Sequence, residues 1–178
     1  MRMVMRTHLL RDPDSIYFMD TVCLSNFALV NHLGILVTRY GKRAHLTQQV
    51  MDEICDGISA GHSALLDIET AVSSGRFSKV EFMSDGEREH FRSLLRGLGP
   101  GEASCISCAT SRGGIVVTDD WNARQACKAC GLRFTGTIGI LKACVMDGTF
   151  QPAEADELLK EMIREGDHSP VTSISSLV

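Results

Sequence analysis

Short apolar runs alternate with helical patterns along most of this chain, and that alternation constrains the fold more than any other feature. Residues 16–19 read as a buried strand ending at Asp20, followed by helical segments to about Arg39. Residues 42–46, the stretch holding Phe77, Val80 and Phe82, residues 115–118 and residues 132–135 read as four more strands. From Gln48, the residues Met51, Ile54, Cys55 and Ile58 recur at i, i+3, i+4 and i+7, the mark of an amphipathic helix. Residues 64–74 form a second helical stretch closed by Gly75, and Ser84-Asp85 caps a third running to about Arg96. The turn GLGPG leads into a helix opened by Gly101-Glu102, and residues 123–130, 137–146 and 152–164 complete the set, the last with proline at its start. Strands separated by helices imply βαβ units, hence an α/β fold with a parallel sheet and helices on both faces. In such sheets functional groups gather outside the carboxyl ends of the strands. Asp20 and the doublet Asp119-Asp120 fall there.

A length of 178 residues suits one domain, and 44% hydrophobic residues supply a sizeable core. Residues 1–15 read as an N-terminal extension, 16–165 as the domain, and 166–178 as a polar, flexible tail. The net charge of −4 excludes a global basic field, so any nucleic-acid contact must be local. Seven cysteines, an odd number, exclude a complete internal disulfide set. The first fifteen residues lack a signal-peptide pattern, and no apolar run approaches a membrane span. The expectation is a soluble cytoplasmic protein with reduced thiols and no membrane contact.

Two CxxC pairs, Cys105/Cys108 and Cys127/Cys130, are separated by eighteen residues, a spacing that fits a zinc template. The competing reading is packing. Ala123, Ala126, Cys127 and Cys130 share one helical stripe, where a free cysteine behaves as a small hydrophobe. Cys105 and Cys108 sit in the small-residue helix ASCISCAT. Packing is favoured, because a domain of this size has no need of a metal to fold.

The carboxylates Asp20, Glu53, Glu102, Asp119 and Asp120 stand on amphipathic helices or at element ends. Each has a plain reading as a cap or a solvated charge, which for Glu53 alone would prevail. Asp20 resists that reading, because it lies between apolar runs where a lone carboxylate is costly to bury. Carboxylates converging on one cleft repel, and a divalent cation relieves the repulsion. Mg²⁺ or Mn²⁺ suits oxygen ligands and activates water for phosphodiester hydrolysis.

The stretches MDTVCLSNFA, QQVMDEI, GPGEASCISCA, VVTDDWNARQAC and FTGTIGIL, in that order, resemble the PIN-domain family, and within it PIN-like toxins with a Gly-Glu motif and a TGTxGxL segment. The resemblance spans about residues 16–165. It implies a three-layer α/β/α sandwich with a central, mainly parallel sheet, acting as a Mg²⁺- or Mn²⁺-dependent ribonuclease on RNA. It also implies a toxin of a toxin–antitoxin pair, with a small antitoxin partner and a homodimeric assembly. By position, Asp20, Glu102, Asp119 and Asp120 match the family's metal-binding acids, with Asp119 preferred for its spacing to Arg124. Glu53 matches the glutamate of the V-x-x-E segment, although Thr47 stands where the family often has proline, leaving Asp52 and Asp56 as competitors. Ser25 and Thr118 match supporting polar positions, and Arg124 is a candidate to orient a carboxylate or bind phosphate. Trp121, beside the acidic pair, is a candidate to stack on a base, with packing under a loop as the default reading. Helical apolar faces such as Leu158, Leu159, Met162 and Ile163 are candidates for intermolecular contact. The rival from another class is a non-catalytic zinc-binding or RNA-scaffolding module built on Cys105, Cys108, Cys127 and Cys130.

Overall fold

A computed structural model describes residues 14–81 and 83–178. Its five strands are β1 (Tyr17–Met19), β2 (Ala44–Leu46), β3 (Ser78–Lys79), β4 (Ile115–Val117) and β5 (Arg133–Thr135). They form one sheet in the order β3-β2-β1-β4-β5, and every neighbouring pair is parallel. β1 and β4 are buried at every position, as strands covered on both faces must be. The helices are α1 (Thr21–Leu29), α2 (Leu33–Tyr40), α3 (Gln48–Ser59), α4 (Leu66–Ser73), α5 (Asp85–Leu94), α6 (Pro100–Arg112), α7 (Trp121–Ala129), α8 (Thr137–Met146) and α9 (Pro152–Arg164).

The small residues of α6, from Ala103 to Ala109, let that helix lie close against β1 and β4, with α3, α5 and α7 beside it. α1 packs with α2, α4 and α9, and α8 with α9 and β5. The result is the α/β/α sandwich that the alternating pattern implied. The third strand is shorter than expected: Phe77 and Val80 are buried on either side of a two-residue β3, and Phe82 lies outside the described residues.

Chain order places the site. β1 is central, with β2 on one side and β4 on the other, so the chain reverses direction across the sheet between β1 and β4. The residues just after these two strands are therefore neighbours, and Asp20 N–H donates to Val117 O at 2.9 Å. Four helices on this edge start with polar caps. Asp20 accepts from Thr21 N, Thr47 from Val50 N, Ser84 from Glu87 N and Asp120 from Ala123 N. Thr47, where proline was the family expectation, thus starts α3 by capping it.

The expected N-terminal extension lies outside the described residues except for residues 14 and 15. The stretch 166–178, expected as a tail, is docked on the domain. The Asp156 carboxylate on α9 accepts from Ile174 N at 2.5 Å and Ser175 N at 3.0 Å. Ile174 is fully buried, and Asp167 reaches back to Asn26 on α1. Leu158, Leu159 and Met162 of α9 are likewise buried within the domain, so they are spent on its own core rather than on a partner. Among the described residues no helix is long and apolar enough to cross a membrane.

Candidate active site

Asp20 is 1% exposed and ends the central strand. Its Oδ1 accepts from Thr21 N at 2.8 Å and its Oδ2 from the Thr118 hydroxyl at 3.2 Å. Burial first, then the nearby charges of Glu102 and Glu53, push its acid up to about 8 against those two hydrogen bonds. Glu53 projects from α3 and accepts from Gly101 N at 2.8 Å and from the Thr21 hydroxyl. Gly101 has to be glycine for this approach, since a Cβ there would lie 2.5 Å from Glu53 Oε2. Glu102, in the first turn of α6, is also shifted upward, by burial and then by Asp120 and Glu53. Asp20, Glu53, Glu102 and Asp120 therefore feel one another electrostatically, and the Gly-Glu pair has a physical role. Glycine admits the Glu53 carboxylate, and the glutamate adds a second one beside it.

The doublet is divided between two tasks. Asp120 caps α7 through Ala123 N at 2.7 Å, and its own N–H donates to Thr118 Oγ1 at 3.2 Å. The Thr118 hydroxyl thus links Asp120 to Asp20. Asp119 turns the other way. Its carboxylate accepts from Thr137 N at 2.9 Å, the Thr137 hydroxyl at 2.5 Å, Arg124 Nη2 at 3.1 Å and Asn26 Nδ2 at 3.4 Å. Arg124 also holds Thr118 O at 3.1 Å. Asp119, preferred from its spacing as the metal-binding member of the doublet, is paired with Arg124, whose guanidinium orients this carboxylate. Gly136 leaves room for this arrangement, because a Cβ there would collide with Asp119 and Arg124.

Thr21, Asn26, Thr137 and Asp167 escaped the sequence reading. The Asn26 amide bridges Thr137 at 3.1 Å and Asp167 at 3.1 Å. Asn26 and Thr137 lie inside the motif stretches, whereas Asp167 lies in a segment that read as tail. Ser25 sits half-buried on α1 beside Asn26, and the neighbouring amide makes these contacts. Trp121 is 69% exposed, not packed under a loop.

The thiols lie elsewhere. Cys105, Cys108 and Cys127 are fully buried in the core; Cys105 donates to Met19 O at 3.5 Å. Cys130 is half-buried at the end of α7. Among the described residues no three His, Cys, Asp or Glu side chains stand as a formed metal-ligand group. That removes the four-cysteine arrangement on which the zinc reading rested, and it means that the carboxylates do not form a closed cage either.

A parallel α/β/α sandwich with a buried aspartate at its switch point and further carboxylates on the same edge defines an α/β protein with an acidic crevice. The chain belongs to the PIN-domain family, whose model matches residues 16–177. That match takes in the docked C-terminal segment. No curated protein sequence matches the chain. A solved structure to which it is similar is VapBC2 from Rickettsia felis bound to a DNA fragment from their promoter. The identity is 19%, over 68% of this chain and 98% of that one, with a TM-score of 0.46.

Proposed function

We propose that this protein is a metal-dependent endoribonuclease hydrolysing RNA phosphodiesters, and the toxin of a toxin–antitoxin pair. The observation that carries the reading is Asp20, a carboxylate at the switch point whose burial, with the charges of Glu102 and Glu53 beside it, raises its acid to about 8. Such a cluster is costly to ionise by itself and gains from a cation. The donors are all oxygens, which suits Mg²⁺ or Mn²⁺. Mg²⁺ uses one or two carboxylates and fills its shell with water and phosphate oxygens, so an incomplete protein ligand set fits it.

Asp20 and Glu102 would hold the ion, and Asp120, whose charge acts on Glu102, would add to the negative field around it. A bound divalent ion supplies charge neutralisation at the phosphate and activation of water. Thr118 orients Asp20 Oδ2 and positions Asp120 through its backbone. Glu53 keeps α3 against the start of α6 and adds negative charge to the crevice. Asp119, tied to Arg124 and Thr137, fixes the chain leaving β4 against the start of α8.

The reading includes a small antitoxin as partner and a homodimer as the assembly, both by likeness to the family. Exposed Val22, Leu66 and Met146 offer apolar surface for such contacts. Co-expression with the adjacent gene product and light scattering of the purified protein test both. The activity is tested on a mixed RNA pool with Mg²⁺, Mn²⁺ or EDTA, for wild type and Asp20→Asn. Cleavage that requires metal and is lost in the variant supports the reading; metal-independent cleavage, or an undiminished variant, rejects it. RNA binding with no cleavage would mark the protein as an RNA-binding module.

A further inference from the structure

Trp121 is the chain's one tryptophan. It opens α7 directly after the acidic doublet and is 69% exposed, more than any other exposed large hydrophobic residue among those described. It borders a cleft of about 210 Å³ whose other walls include Asp119, Arg124, Thr137 and, from the docked C-terminal segment, His168 and Pro170. A cleft formed from a flat indole and a proline, with polar side chains around it, accepts a planar group of mixed polarity.

The charges decide which part of a nucleotide fits. Asp119 and Asp167 both line the cleft, and Arg124, its guanidinium, is engaged by Asp119 and Thr118 O. Set against Asp119 and Asp167, the committed Arg124 guanidinium and the titratable His168 leave the cleft no surplus of positive charge for a phosphate. An uncharged base stacks on indole whatever its identity. Asp119 and Asp120 are consecutive, so this cleft and the Asp20–Glu102 crevice flank the same turn.

We propose that Trp121 and the C-terminal segment form a nucleobase site that seats the base beside the scissile phosphate. The proposal rests on the ribonuclease reading and adds to it a positioning residue for the substrate. Trp121 touches the base, not the reacting atoms, so it governs binding more than turnover.

The experiment follows the intrinsic fluorescence of Trp121 in Asp20→Asn, where cleavage does not compete, during titration with a short single-stranded RNA. Saturable quenching is expected, with much weaker quenching by an abasic backbone of equal length. Anisotropy of labelled RNA should show Trp121→Ala binding about tenfold or more weakly and Trp121→Phe retaining most of the affinity. In the active background Trp121→Ala should raise KM with little change in kcat. Equal quenching by the abasic backbone, or unchanged RNA affinity in Trp121→Ala, overturns the proposal. The two readings fail differently. Absent cleavage by wild type with base-dependent quenching intact rejects only the nuclease, whereas normal cleavage with an unaltered KM in Trp121→Ala rejects only the base site.

Discussion

The Glu53 carboxylate on α3 accepts the Gly101 N–H at 2.8 Å, so one side chain ties the middle of α3 to the start of α6. Its other oxygen takes the Thr21 hydroxyl of α1. Three helices from both sides of the central strand meet at this carboxylate, which makes it a strut as well as a charge.

Gly101→Ala tests the strut. Alanine is favoured over glycine inside a helix by up to about 1 kcal/mol, but here its Cβ would displace the carboxylate from a charge-assisted bond worth about 1.5–3 kcal/mol. A net loss of about 1 kcal/mol in denaturant melts and a marked drop in cleavage are expected. Gly86→Ala, in α5 with open space around it, should instead leave stability unchanged or slightly raised. Equal behaviour of the two variants would mean that the Glu53–Gly101 contact contributes nothing.

Asp20 sets a pH dependence in metal-free protein. Its folded acid, at about 8, lies above the ordinary value near 4, so the folded state binds more protons than the unfolded state between those limits. Stability therefore falls as pH rises from about 4 to 8. In EDTA, wild type should melt lower at pH 8 than at pH 5 by more than Asp20→Asn does. At pH 8 the variant should be the more stable protein while losing cleavage by orders of magnitude. Parallel pH curves for the two proteins would contradict the shift.

The doublet should separate by substitution. Asp119→Asn weakens bonds to Thr137 and Arg124 and should cost about 1–2 kcal/mol of stability. Asp120→Asn keeps a good N-cap and removes the charge felt by Glu102, so its stability should change little while cleavage falls at least tenfold. Chemical denaturation and single-turnover cleavage of both variants decide the matter, and the reverse pattern would reassign the roles.

Replacing Cys127 and Cys130 by alanine should cost about 1–2 kcal/mol, since the buried Cys127 thiol leaves a small void, and metal-dependent cleavage should persist. Elemental analysis of wild type should find no stoichiometric zinc. Unfolding of the variant accompanied by zinc release would restore the four-cysteine reading.

Periodicity in the chain was enough to specify the α/β class, the bounds of α8 and α9, and the thiols of α6 and α7 as packing residues, because it records which face of each element avoids water. It also marked Asp20, a charge that no apolar neighbourhood tolerates without a reason. It did not divide the labour of Asp119 and Asp120, and it set the C-terminal residues aside as tail. Those outcomes depend on strand order. β4 lands beside β1, so Thr118 meets Asp20 across 98 positions of sequence and Asn26 meets Asp167 across 141. The exposure of Trp121 was settled in the same way, since whether an indole is covered depends on what distant segments pack above it. Local pattern encodes burial; which buried or bordering polar groups become partners is decided only when the sheet brings remote turns to one edge.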